Sequence, residues 1–247
     1  MLTDKQIELG VWAFKSSLWQ TLNIDDIAIY DTEWLSISTS RLNNEIRSLS
    51  PSRMKELRNA WKMTLPKLFN VKYLFVEHQI DQEFFESICK MPNLEGLYIK
   101  WSRITDLSPI DNLFKLKHLH LGSTPGLLKL NGLNKLNFLQ SLELENTKGI
   151  TDYSVLGKLV WLESLVITGS VNSPRVKMDT LDFLTTLTKL KVLVLYVSLK
   201  SNSIEPMLML NNLVKLYLSD NLYRGQDSNI MLGFFPNLTF SNLGKRA

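Results

Sequence analysis

The sequence predicts an α/β solenoid of right-handed coil. A curved parallel sheet should line its concave face, short 3₁₀ or helical turns its convex face, and a region of helices and short strands its N-terminal end. Three observations predict this. Residues 113–124, LFKLKHLHLGST, read L-x-x-L-x-L with a small polar residue three positions after the last leucine. The chain repeats that pattern in seven copies, beginning at Val71, Leu94, Leu116, Leu139, Leu162, Leu190 and Leu213, with a degenerate last one near Leu238. Most intervals are 22 or 23 residues, and the one from Leu162 to Leu190 is 28. Between the copies a second pattern recurs: residues 104–113, ITDLSPIDNL, match residues 150–159, ITDYSVLGKL. A unit this short cannot bury its own apolar face, so each must stack on its neighbours.

Composition agrees with one elongated body. The 247 residues exceed what one compact core usually needs, and the 45% apolar content suffices for a continuous interior. A net charge of +4 is too small to imply nucleic acid. The single Cys89 excludes an internal disulfide framework and a multi-cysteine metal site; it is expected to pack as a small apolar residue. No segment approaches the roughly 20 continuous apolar residues of a membrane span. Residues 1–6 show no basic stretch followed by an apolar run. A soluble, cytoplasmic, monomeric protein without a membrane partner is the expectation.

Taken in order, the first segment reads as a helix. Thr3 and Gln6 can form a capping box, and Ile7, Val11, Phe14, Leu18 and Leu22 recur at helical spacing beside Trp12 and Trp19, with Gly10 as the weak point. Two β-like runs follow at 27–29 and 34–37. Residues 33–42, EWLSISTSRL, align with 95–104, EGLYIKWSRI, as one diverged copy of the repeat. A second helix starts at Ser50-Pro51, with Met54, Leu57, Trp61 and Leu65 on one face and Lys55, Arg58 and Lys62 on another. Residues 1–70 are thus expected to cap the coil, 71–237 to form its repeats, and 238–247 to form a degenerate repeat and tail. Phe234 and Phe235 should seal the far end. The longer interval should bulge at Ser173-Pro174 beside the strand ending at Ile167, a loop of low cost.

These motifs resemble leucine-rich repeats, in particular the short repeats of bacterial internalins and the related phosphatase-regulator subclass. The resemblance covers residues 71–240 and implies 3₁₀-like turns on the convex side. The consensus asparagine position holds Gln79, Ser102, Thr124, Thr147, Ser170, Ser198 and Asn221. Ser and Thr bond backbone at a turn less strongly than Asn, so some irregularity in the coil is expected.

With leucines at positions one, four, six and eleven inside, positions three, five and seven of each strand face the concave side. Equivalent residues then stand in columns about 4.8 Å apart. Tyr73, Phe75 and Tyr98 make an aromatic patch, with Trp101 just beyond the strand and Lys100 beside it. Exposed, such residues mark interface hot spots; folded under the N-terminal region, they would only be packed. Val166, Val192, Val194 and Tyr196 make a second patch, with Tyr217 in the next repeat. Contiguous apolar surface of this kind marks a contact site. A partner spanning both would cross His118, His120, Glu143 and Glu145.

The chemistry favours binding of another protein by this face, without catalysis or cofactor, and an inhibitor or immunity-type protein is a special case. Two other classes are weighed against it. His118 and His120 with Glu143 could hold zinc for a metal-assisted enzyme, although an H-x-H strand pair is more often a pH-tunable polar contact. Segment 41–72 carries eight basic and two acidic residues and could meet nucleic acid, although a basic helix face is usually only solvated. The Glu143/Glu145 pair lies open to water, unlike a catalytic carboxylate pair. No phosphate-binding glycine loop, H-E-x-x-H or G-x-S-x-G occurs.

Overall fold

The computed structural model describes residues 1–13, 21–22, 24–27, 32–39, 49–169, 175–201, 203–223 and 227–243. The strands are β1 (Trp34–Ile37), β2 (Tyr73–Val76), β3 (Gly96–Ile99), β4 (His118–Leu121), β5 (Ser141–Glu145), β6 (Ser164–Thr168), β7 (Val176–Met178), β8 (Val192–Leu195), β9 (Val197–Leu199), β10 (Lys215–Leu218) and β11 (Phe240–Ser241). Nine of them form one parallel sheet in the order β1-β2-β3-β4-β5-β6-β8-β10-β11. The register stacks Leu35, Leu74, Leu97, Leu119, Leu142, Leu165, Leu193 and Leu216 in a single row, and all of them are buried. Each buried leucine contributes about 1.5–3 kcal/mol of transfer free energy. That row is the physical content of the repeat.

The convex side is turned by short 3₁₀ segments at Ser108–Asn112, Leu133–Lys135, Ser154–Lys158 and Asp182–Thr186. The repeated T-D-x-S pattern explains two of them. The Ser108 amide donates to Asp106 Oδ1 at 2.9 Å, and the Ser154 amide to Asp152 Oδ1 at 2.8 Å. These bonds start the turn and hold both carboxyls below the usual aspartate range. Asparagines beside the strands stitch neighbouring turns: Asn93 Nδ2 donates to the Phe69 carbonyl, Asn212 to Thr188 and Asn237 to Asn211, at 2.8–2.9 Å.

Five α-helices occur among the described residues: α1 (Asp4–Leu9), α2 (Pro51–Thr64), α3 (Gln82–Ile88), α4 (Glu205–Leu208) and α5 (Ser228–Gly233). Helix α2 starts where Ser50-Pro51 predicts, with Ser50 Oγ accepting from the Arg53 amide. It buries Leu57 and Trp61, and the Trp61 indole donates to the Ile24 carbonyl at 2.8 Å.

The first helix is a correction. The capping box at Thr3 and Gln6 is present, but α1 ends at Leu9 because Gly10 takes φ +98°, a conformation that glycine alone adopts without strain. Phe14, Leu18 and Trp19, expected to continue the helix, lie outside the described residues, and Leu22 bridges to Ile37. Ser173-Pro174 is also outside them, but the longer repeat carries β7, which pairs with β9 in a second small sheet. At the far end Phe235 is buried and β11 pairs with β10, but Phe234, expected to seal it as well, is exposed. Burial pushes the Cys89 thiol far up, as suits a packed side chain.

Candidate functional site on the concave face

The concave face already holds a piece of the chain. Leu2, Ile7, Val11 and Trp12 form a cluster with Phe75 and Val192, and Trp34, Tyr73, Tyr98, Val194 and Val214 pack around it. The Leu2 amide donates to Glu163 Oε2 at 3.1 Å. At the other end of α1, Lys215 Nζ donates to the Glu8 carbonyl at 2.7 Å and the Ile7 carbonyl at 3.4 Å. A lysine there meets the unsatisfied carbonyls of a helix C-terminus. Residues 2–12 therefore cross the sheet from β2 to β10.

This corrects the expected exposed aromatic patch. Phe75 is fully buried, and Tyr73 and Tyr98 are half-buried. The Trp12 indole packs edge-on against Phe75 and Tyr98, while Trp34 stacks flat on Tyr73 with centroids 3.9 Å apart. The cause is elementary: aromatic surface on two separate stretches leaves water by meeting. The aliphatic patch divides likewise. Val192 is buried and Val194 packs against the same cluster, whereas Val166 and Tyr217 are half-buried and Tyr196 is exposed.

The two histidines are corrected too: both are buried. His118 Nδ1 meets Ser141 Oγ at 3.0 Å and its ring faces Trp12. Burial, helped by the Lys117 charge, lowers its pKa to about 4, so it is neutral near pH 7 and no pH-tunable surface contact. His120 lies flat under Tyr98, with centroids 4.1 Å apart, and its Nδ1 meets Glu143 Oε2 at 2.9 Å. Its Nε2 is buried without a hydrogen-bond partner. A Cβ on Gly122 would stand 3.1 Å from that nitrogen and 2.4 Å from the Lys100 carbonyl oxygen, so only glycine fits between them. Among the described residues no three His, Cys, Asp or Glu side chains come together as metal ligands. His118 turns to Ser141 while His120 turns to Glu143, so the three-residue zinc arrangement does not form.

What remains open is the ledge at the C-terminal ends of the strands. It runs Glu77, Lys100, Gly122, Glu145, Thr168, Tyr196, Ser219, in step along the sheet, with Lys100 and Tyr196 exposed, Glu77, Glu145 and Thr168 half-buried, and Gly122 and Ser219 buried. Trp101 is 44% and Tyr196 40% exposed. Lys100 Nζ sits 5.0 Å from the Trp101 ring centroid and 3.9 Å from Glu77 Oε2, and His78 lies edge-on to Trp101. Of the expected contact residues, Lys100, Trp101, Glu145 and Tyr196 are the ones this ledge brings together.

A second open feature was missed by the sequence reading. On the turns before β4, β5 and β6, Phe114, Phe138 and Trp161 stand more than half exposed, and Lys189 Nζ lies 3.2 Å from the Trp161 ring centroid. A signal existed: these residues lie just before the motif's first leucine, between it and the leucine three positions earlier (Leu113, Leu136 and Leu159). The basic stretch, by contrast, is partly paired where it is described. Arg53 meets Glu56 at 2.6 Å, Arg58 meets Asp81 at 2.9 Å, and Lys62 meets Glu83 at 2.6 Å. Residues 41–48 lie outside the described residues.

Comparison with solved structures agrees with the coil. The chain is similar to internalin C2 from Listeria monocytogenes, with 25% identity, TM-score 0.53, and coverage of 74% of this chain and 80% of that one. It is also similar to a leucine-rich repeat protein from Leptospira interrogans, with 18% identity, TM-score 0.51, and coverage of 100% of this chain and 59% of that one. No protein-family model matches, and no curated protein does. The chain is a leucine-rich repeat solenoid.

Proposed function

We propose that this leucine-rich repeat solenoid is a non-catalytic scaffold whose protein partner docks along the open ledge of the concave face. Lys100, Trp101, Glu145 and Tyr196 make the contact. The carrying observation is Trp101 with Lys100 over its ring, a large aromatic left open to water where every other ring on the face is at least half covered, apart from Tyr196. Aromatic residues rimmed by charge are the usual anchors of protein interfaces. A ladder fixed by parallel pairing also loses little entropy on binding. The leucine-rich repeat fold supports the same reading by analogy.

Nothing on the ledge assembles a nucleophile with a base or encloses a reacting group, which favours recognition over catalysis. No helix among the described residues is long and apolar enough to cross a membrane. In this proposal the chain works as a cytoplasmic monomer, and an inhibitor or immunity-type role is the case in which the partner is an enzyme or toxin. The test is photo-crosslinking in the native cell, with the probe placed at Tyr196 in the full chain. One discrete protein adduct, lost when Lys100→Glu is added, supports the reading. Adducts of equal yield from a probe at the convex Asp111 would sink it.

A further inference from the structure

We propose that the groove beneath residues 2–12 is itself a docking site for a partner's short, partly helical apolar peptide, and that residues 2–12 are a displaceable occupant built into the chain. This rests on reading the concave face as a binding surface.

The coil's interior is complete without the segment. Its leucine cluster runs from Ile24 to Leu243 and contains no residue of 1–13. The segment's apolar side chains belong to a separate cluster on the outer side of the sheet. An end cap behaves otherwise, since it shares the interior it seals.

The attachments are those of a bound peptide. Leu2, Ile7, Val11 and Trp12 anchor it, Glu163 accepts one backbone N–H, and Lys215 meets the last carbonyls of α1. Glu163 is held ready from below: Lys191 Nζ lies 2.8 Å from the same Oε2. Burial alone would raise the Glu163 pKa, but Lys191 and the Leu2 amide bring it below the usual range. The groove thus offers an anionic acceptor beside β6, an ammonium donor at β10 and apolar contacts at Phe75 and Val192, with the polar His118, Ser141 and Ser164 between them.

Its fitting partner is a short peptide with a bulky aliphatic residue just before one or two helical turns and an aromatic one just after them, as Leu2 and Trp12 flank α1. Those turns should leave their final carbonyls free for Lys215. The built-in copy is also poorly held by itself. Helix α1 has six residues, well under the roughly 12–15 at which an isolated helix becomes even marginal. It is therefore helical only while docked, and it can open without the coil unfolding.

Two measurements on the full chain test this. In hydrogen exchange the Ile7 and Gly10 amides, bonded to the Thr3 and Gln6 carbonyls, should exchange about a hundredfold faster than the β4 and β5 amides. A fluorescein-labelled peptide copying residues 1–13 should bind the Trp12→Ala chain about tenfold or more tighter than wild type. Equal protection of the segment and the strands would make the segment structural and overturn the proposal. So would failure of the labelled peptide to bind the variant. A wild-type dimer that the peptide dissolves would assign the groove to a second copy and overturn the partner assignment. If the proposal fails while Tyr196 still crosslinks its partner, the scaffold reading stands.

Discussion

The Trp12 indole stands edge-on to the Phe75 ring, with centroids 5.7 Å apart and planes at 86°. The pair joins the first turn of the chain to a strand face that would otherwise be open. Edge-to-face pairs add about 0.5–1.5 kcal/mol to their area burial. Because this contact lies outside the leucine interior, its energy holds the segment and not the coil.

Two substitutions separate those roles. Leu119→Ala empties a site in the buried leucine row and should lower stability by about 2–5 kcal/mol. Trp12→Ala should lower the unfolding free energy measured in urea by less than about 2 kcal/mol, the part of coil stability that comes from docking, while far-UV circular dichroism of the sheet persists. Equal losses would mean that segment and coil unfold as one unit.

Acid should undock the segment. His118 has its pKa lowered from 6.5 to about 4, first by burial and then by Lys117, against the opposing Glu95 and Glu163 charges. The unfolded chain therefore binds the proton more readily. The contribution is fully present above pH 6.5 and is lost as pH falls toward 4, on the order of 3 kcal/mol in all. Since Trp12 covers the ring, part of that cost is relieved by opening the segment. Urea titrations at pH 7 and pH 5 should show wild type losing more stability than His118→Gln. Identical losses would place the shift elsewhere.

Gly122 is the tightest point of the ledge. In Gly122→Ala the new methyl would sit 2.4 Å from the Lys100 carbonyl oxygen. Backbone must move to admit it, at about 1–3 kcal/mol. Thermal melts should show the loss, and the His120 imidazole resonances should shift with it. A variant as stable as wild type, with unmoved His120 signals, would contradict the geometry.

The coil was legible because one residue type at one spacing does one job. Every leucine from Leu74 to Leu216 in the row is buried, as the repeat requires. The face was less legible because its fate depends on a contact that no period encodes. Nothing in the patch Tyr73, Phe75, Tyr98 says that Trp12 lies on it. Gly10 signalled an interruption in the first helix, but its φ decides that Val11 and Trp12 turn onto the sheet. His118 and His120 followed the alternation correctly, yet burial by neighbours at Ser141, Tyr98 and Trp12 removed them from the surface. Phe114, Phe138 and Trp161 were readable in principle, since they sit between two inward leucines on the turn that precedes each motif.

The most direct measurement is the affinity of the crosslinked partner, once isolated, for three full-length variants. Trp101→Ala and Tyr196→Ala should each weaken it at least about tenfold, with thermal stability within about 0.5 kcal/mol of wild type. Asp111→Ala, in the convex turn, should bind as wild type does. Undiminished affinity in both ledge variants would contradict the account.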